Sequence, residues 1–184
     1  MNEVINAIKS RRSVRNYRQE QIRQEELDLI IEAAIYAPSA HNEQPWHFTV
    51  IQNRELINHI NNKSKELMAK SDIKWIKTMG SSQKMDVTYG APTLVVVSGK
   101  DAAVSWEAGC SAAIQNMLIA AESLNIGSIW LGLVAFFFSL NEETGKLEIP
   151  EGYTPLYGVA LGYKSVQKEQ ITPKRNFNVI NYIR

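Results

Sequence analysis

Between Lys9 and Arg18 the chain carries five basic side chains, Lys9, Arg11, Arg12, Arg15 and Arg18, and no acidic one. Beyond Glu169 every charged side chain is again basic: Lys174, Arg175 and Arg184. A phosphate monoester holds roughly −1.5 to −2 charges at neutral pH. Guanidinium and ammonium groups from such runs would neutralise it, the guanidiniums in bidentate geometry. Ser13 adds a hydroxyl among the arginines. A solvated basic face that holds anions loosely would show the same charge pattern. Residues 38–46, Pro-Ser-Ala-His-Asn-Glu-Gln-Pro-Trp, form a second chemically suggestive stretch. Ser39, Asn42 and Gln44 both donate and accept hydrogen bonds, as the polar edge of a fused heteroaromatic ring and a polyhydroxyl chain would require. Pro38 and Pro45 stiffen the segment and lower the entropy lost when something binds. An ordinary helix-to-strand connection also has this composition.

Other chemistries find little support. His41, His47 and His59 lack a metal-ligand spacing such as H-E-x-x-H, and structural or surface roles suit them. The one cysteine, Cys110, excludes an internal disulfide framework and a Cys-rich zinc site. Its small apolar neighbours suit packing rather than nucleophilic attack. No G-x-G-x-x-G, Walker A or G-x-S-x-G motif occurs, so neither a Rossmann nicotinamide site nor a serine nucleophile is expected. Trp46, Trp75, Trp106 and Trp130 are not interleaved with basic residues, and the formal net charge is only +1; neither suits a nucleic-acid binder. No run of about 18 apolar residues could span a membrane, and the opening MNEVINAIKSRRS lacks the order of a signal peptide. The expectation is a cytoplasmic protein without metal, nucleic acid or membrane.

The elements that must position these residues follow from periodicity. With 184 residues, 45% hydrophobic and 21% charged, the chain fits a single domain with a real core. The spacing of Val4, Ile5 and Ile8 predicts a first helix ending near Ser10, then a brief extended piece at 14–17. Residues 24–37 place Leu27, Ile30, Ile31, Ala34 and Ile35 on one helix face, with Pro38 as the stop. Strands are expected at 46–52, 91–97, 128–134 and 155–163. Helices are expected at 54–70, with Leu56, Ile57, Ile60 and Leu67 inward, and at 103–125, stopped by Gly127. Small residues on the latter (Ala108, Gly109, Ala112, Ala113) would let another backbone come close, at the centre or at a subunit contact. Ser139 and Glu142 have the spacing of a capping box for a short helix to Leu147. Residues 71–88 read as a polar excursion anchored by Trp75, Ile76 and Met79, and 164–184 as a tail. Phe136-Phe137-Phe138 can all pack inward, or one ring can line a pocket or a subunit contact.

Arg11-Arg12-Ser13-Val14-Arg15, PSAHNEQPW at 38–46, GAPTLVVV at 90–97, GSIWLG at 127–132, EIPEGYTPLYGVALGY at 148–163 and Pro173-Lys174-Arg175 occur in the order seen in nitroreductase-like flavoproteins, which the chain resembles over essentially its whole length. The resemblance implies an α+β fold: a three-layer α/β/α arrangement of one domain over 1–184, its mixed, mainly antiparallel sheet flanked by helices. It implies an intimate homodimer whose C-terminal tail reaches the partner. It further implies bound FMN, reduced by visiting NADH or NADPH and reoxidised by a small organic acceptor, such as a nitroaromatic or quinone, in a ping-pong cycle. By match, Arg11, Ser13 and Arg15, with Lys174 and Arg175, would take phosphate, ribityl or ring-edge contacts, with Arg12 as their neighbour on the loop. Pro38, Ser39 and Ala40 would approach the ring from one subunit, with Asn42 and Gln44 as ring or ribityl contacts. Trp130, Leu131 and Gly132 would lie against the ring face opposite the substrate. No side chain is expected to transfer protons, since the chemistry is the cofactor's. A flavin-binding sensor or store without turnover, or a relative acting on flavin itself or on a halogenated aromatic, are the other readings this resemblance leaves open.

Overall fold

Residues 93 to 99 of strand β2 (Thr93–Lys100) are all buried. A strand covered on both faces requires a layer of structure on each side. The computed structural model, which describes residues 2–165 and 173–184, supplies both layers. The sheet contains β1 (Trp46–Ile51), β2, β3 (Ile126–Leu131) and β4 (Tyr153–Tyr163) in the order β1-β2-β4-β3. On one face lie α3 (Arg54–Met68), α4 (Lys74–Ser81), α6 (Ala135–Phe138) and α7 (Asn141–Thr144). On the other lie α2 (Gln24–Ile35) and α5 (Trp106–Ser123), with α1 (Glu3–Ser10) against α5.

Side chains alternate across a strand with period two, and β2 shows it. Leu94 and Val96 join Ile57, Ile60, Met68, Ile76 and Phe137 in one core. Val95 and Val97 join Leu27, Ile30, Ala113, Ile114 and Met117 in the other. Each such aliphatic side chain contributes about 1.5–3 kcal/mol by leaving water, so the two cores hold the three layers together.

Several expectations are corrected. The sheet is not mixed: among the described residues its four strands pair antiparallel throughout, and the parallel pairing is confined to an isolated bridge between Ser13 and Ser128. That segment is too short to become a strand. Residues 71–88 are not merely an excursion, because Ile76 and Gly80, four apart, bury one face of α4. Trp75, one residue off that face, is 57% exposed and joins neither buried core. On α3 the inward row is Ile57, Ile60, Ser64 and Met68, at helical spacing, with Leu67 only half-buried. On α2 the buried apolar row narrows to Leu27, Ile30 and Ala34, with Ile35 exposed. Ser139 does not open a helix as an N-cap; it is the C-cap of α6, where its hydroxyl donates to the Phe136 carbonyl at 2.8 Å, and Leu140 precedes α7. Phe137 is fully buried, and Phe136 and Phe138 pack partly buried against the same core.

Gly127 does not stop α5. Asn125 takes the left-handed turn there, at φ 57°, which asparagine tolerates. Gly127 instead sits in β3, where a Cβ would lie 2.9 Å from Val14 Cγ1. Only glycine lets the 13–17 segment lie so close to the sheet. Of the expected tail, residues 166–172 lie outside the described residues. Residues 173–184 form no helix or strand and are exposed throughout. Replacing Gly127 by alanine therefore forces Val14 outward. The expected outcome is a loss of about 1–3 kcal/mol of stability, read as a lower urea midpoint; an unchanged midpoint would show that Val14 is not held there.

Candidate functional site

The basic segment begins where α1 ends. Arg12 turns back on that helix and its Nη1 donates to the carbonyls of Lys9, Ser10 and Arg11 at 2.7, 3.0 and 2.9 Å. These are the carbonyls a helix end leaves without intrahelical donors. Arg12 thus ties the loop to the end of α1 through Nη1, as a neighbour of Arg11 and Ser13 on that loop. Beyond it, Val14 N–H donates to the Ser128 carbonyl at 3.0 Å and Arg18 N–H to the Tyr163 carbonyl at 2.9 Å. Tyr17 is buried and its hydroxyl donates to the Val14 carbonyl at 2.8 Å; burial pushes its phenol above the ordinary range, against the opposing pull of the Arg15 charge. The run 13–18 is thereby strapped to the sheet, Ser13 and Val14 at the outer edge of β3 and Tyr17 and Arg18 at the end of β4. Among the described residues neither Arg11 nor Arg15 forms an ion pair with a carboxylate. Two guanidiniums without a carboxylate partner among the described residues, beside the Ser13 hydroxyl, have the chemistry to hold an anion.

Because backbone polar groups alternate along a strand, Trp130 presents its amide and carbonyl on the same outer edge as Ser128. Its indole lies edge-on to the Tyr157 ring, 5.1 Å between centroids. The Leu131 side chain is buried in the core and its backbone pairs with Gly158 of β4. Gly132 is exposed, with no atom within 4 Å of where its Cβ would be. The basic segment and 130–132 therefore share one sheet edge.

The loop 38–45 is built differently. His41, Asn42 and Gln44 all have positive φ, 49°, 54° and 47°. Left-handed backbone costs a non-glycine residue about 1–2 kcal/mol, least for Asn, and such strain concentrates at functional sites. The surroundings hold it. Gln44 N–H donates to Ser39 Oγ at 3.0 Å, Lys100 N–H to the Pro45 carbonyl at 2.8 Å and Val104 N–H to Glu43 Oε2 at 2.8 Å. Gly109 of α5 lets Pro45 and Ser39 come close, a Cβ there meeting Pro45 Cγ at 3.2 Å. Asn42 and Gln44 are exposed, while Ser39 and Ala40 are half-buried. Glu43 was not expected in any role; its spacing before the start of α5 carried no visible signal. The left-handed trio was equally hidden, although Asn and His are enriched in that conformation.

These groups do not converge within one chain. Ser13 pairs at the β3 edge in the row Ser128–Leu161–Thr93, whereas the loop enters β1 at Trp46, opposite Gly99. The two edges are three strands apart, roughly 14 Å, and the rows are offset by six residues, roughly 20 Å. Lys174 and Arg175 are exposed and form no ion pair with a carboxylate among the described residues. His59 pairs with Glu143 at 2.7 Å and His47 lies edge-on to Tyr153, structural roles as expected. Cys110 is buried, which pushes its thiol up to about 11, with the Glu107 charge adding to the effect. Among the described residues no group of three or more His, Cys, Asp or Glu could hold a metal, and no helix is long and apolar enough to cross a membrane.

The geometry defines an α+β sandwich whose candidate site groups lie at its margins, a basic edge on one side and a rigid amide-bearing loop on the other. The chain belongs to the Nitroreductase family, whose model matches residues 8–163. An Archaeoglobus fulgidus protein, provisionally named as an NADH dehydrogenase/NAD(P)H nitroreductase, is 33% identical over 97% of this chain and 95% of its own length. A Bacillus subtilis protein named as an NAD(P)H FMN reductase is 31% identical over 89% of this chain and 66% of its own. The solved structure of a nitroreductase with bound FMN from Bacteroides fragilis, 35% identical, aligns over the full length of both chains with a TM-score of 0.92.

If Glu43 locks the loop to the segment that leads into α5, Glu43→Ala should release one hydrogen bond worth about 1 kcal/mol. Amide exchange at Val104 and at Gln44 should then quicken about fivefold, with the global melting temperature barely moved. Unchanged exchange at both amides would show that the carboxylate is not what holds the loop.

Proposed function

We propose that the chain binds FMN between two copies and uses it to pass electrons from NADH or NADPH to a small organic acceptor. The observation that carries this is the separation of the two half-sites to opposite edges of one sheet, each held rigid, with Arg11 and Arg15 in no carboxylate ion pair among the described residues. A second copy, related by a two-fold axis, would set the 38–44 loop of one protomer against the Arg11–Arg15 edge of the other. Two equivalent sites follow, because a two-fold contact is reciprocal.

The donor set fits the group. Arg11, Arg15 and Ser13 would hold the phosphate and the ribityl or ring edge. The outer backbone of 130–132 would lie along the ring, its exposed Gly132 leaving room. Pro38, Ser39 and Ala40 would close over it from the partner, with Asn42 and Gln44 as exchangeable donors and acceptors. When bound, FMN supplies two-electron transfer between nicotinamide and acceptor in alternating turns. The bound FMN of the Bacteroides fragilis structure and the nicotinamide in the names of both relatives support this reading. The chain's own contribution is binding, orientation and positive charge where negative charge develops. No side chain of the set is assigned a proton, and solvent supplies it. A cytoplasmic setting, where NAD(P)H is at hand, fits.

The tail supports the dimer. Phe177, Val179, Ile180, Tyr182 and Ile183 are 62–94% exposed, an unfavourable exposure for a segment without a partner. Between α2 and β1 runs a groove of ≈ 500 Å³ lined by Leu27, Ile31, Ile35 and Val50, with Asp28 and Glu32 on its rim. The charged side chains of residues 173–184 are all basic; this segment suits that groove on the neighbouring copy, and would carry Lys174 or Arg175 toward the phosphate.

Purified protein should be yellow and dimeric by equilibrium sedimentation. Anaerobic NADH or NADPH should bleach it, and a nitroaromatic or quinone should restore the colour. A yellow protein that neither nicotinamide bleaches would favour a flavin-binding role without turnover. Arg11→Ala combined with Arg15→Ala should weaken FMN binding at least about 100-fold, since each charge-assisted contact contributes about 1.5–3 kcal/mol; full affinity in that variant would refute the site assignment. Removing residues 173–184 should shift the sedimentation equilibrium toward monomer.

A further inference from the structure

Tyr89 belongs to none of the motifs that mark the proposed flavin site. It sits in the turn between α4 and β2 with φ 56°, just ahead of Gly90 at φ 67°. An aromatic residue is disfavoured in that conformation, which suits glycine or asparagine. The turn is nonetheless held firmly. Asp86 Oδ1 accepts from the Thr88 amide and hydroxyl, both at 2.7 Å, and Oδ2 accepts from Gly90 N–H at 3.0 Å. Arg54 Nη1 donates to the Gly90 and Ala91 carbonyls at 3.4 and 3.3 Å. Asn61 Oδ1 accepts from Val87 N–H at 2.8 Å. A backbone kept in an unfavourable state by this many contacts points to a use for the side chain it presents.

That side chain meets Arg15. The Arg15 guanidinium carbon lies 5.7 Å from the centroid of the Tyr89 ring, within cation–π range. Tyr89 is half-buried against the core, whereas Arg15 is exposed. The one hydrogen bond from the Arg15 side chain among the described residues, Nη1 to the Ser13 carbonyl, is long at 3.4 Å. The ring is therefore the firmer of its two supports. The geometry also leaves Arg15 able to work. A guanidinium offers its flat face to an aromatic ring, while its donors project in the plane. Stacking and bidentate anion binding do not compete for the same atoms.

We propose that Tyr89 is a positioning residue that holds the Arg15 guanidinium ready for the anionic cofactor. The inference rests on the FMN reading above. Without the ring, a long side chain with many rotamers must be ordered when the ligand binds, and affinity falls accordingly. The hydroxyl is not needed; the ring is.

The test is a double-mutant cycle read by FMN affinity, from quenching of FMN fluorescence on titration with apoprotein. The set comprises wild type, Tyr89→Phe, Tyr89→Asn, Arg15→Ala and the Tyr89→Asn/Arg15→Ala double variant. Asparagine suits the left-handed turn, so it removes the ring without straining the backbone. Tyr89→Asn should weaken FMN binding about fivefold, Tyr89→Phe should bind as wild type, and Tyr89→Asn should add nothing once Arg15 is alanine. An equal loss in both backgrounds, or a loss in Tyr89→Phe matching that in Tyr89→Asn, would overturn the role given to the ring. If Arg15→Ala weakens binding while Tyr89→Asn leaves it unchanged, the positioning role falls and the FMN site stands. If wild type fails to bind FMN, or Arg15→Ala binds as well as wild type, the site reading falls and this inference with it. Should Tyr89→Asn not fold by far-UV circular dichroism, Tyr89→Gly carries the same comparison, since glycine meets the same φ without cost.

Discussion

Double-sided burial of the central strand governs the molecule. Once residues 93–99 are covered above and below, neither sheet face is left for chemistry. What remains is the perimeter: the outer edge of β3, the loop entering β1, and the ends of helices. The candidate ligand contacts in the described body of the chain lie on that perimeter, the basic segment tied by backbone hydrogen bonds to β3 and β4 and the loop tied to Lys100 and, through Glu43, to Val104 just ahead of α5. The cores provide most of the stability, and the margins are left to hold unpaired cations and strained turns.

The two margins are built by different means. At the β3 edge a close approach, Val14 over Gly127, lets a coil segment run beside a strand without becoming one. At the β1 entrance, left-handed residues bend the chain sharply, and neighbouring amides hold the bend. Neither margin encloses a ligand alone. In the proposed dimer one margin meets its complement on the other copy, and the exposed apolar tail has somewhere to go.

Much of this was legible in the residues before any coordinates. The long helices and the four strands came from 3.6- and 2-residue periodicities, and Arg11 to Arg15 stood out as a charge run without acids. What stayed hidden depends on tertiary contact. Arg12 looks identical to Arg11 and Arg15 in the sequence, yet it is folded back on the carbonyls that end α1. Gly127 reads as a helix stop because glycine often is one; its actual use, admitting Val14, depends on a segment more than a hundred residues away. Trp75 looked like an anchor by size, but its angular offset from Ile76 turns it outward. The parallel strand implied by a mixed sheet shrinks to one bridge because only Ser13 and Val14 approach β3 closely enough. Tyr89 carries no mark in the sequence, falling between the polar stretch 71–88 and the strand expected from 91.

The shape of the 38–45 loop bears on how fast anything docks there. Its unfavourable dihedrals are already in place in the chain as it stands, so an arriving molecule has no search of loop conformations to wait for. Capture should then run at the pace of collision and orientation, on the order of 10⁵–10⁷ M⁻¹s⁻¹ as for other preformed surfaces. The lifetime of the bound state, rather than the speed of its formation, would be where sequence changes in this loop make themselves felt.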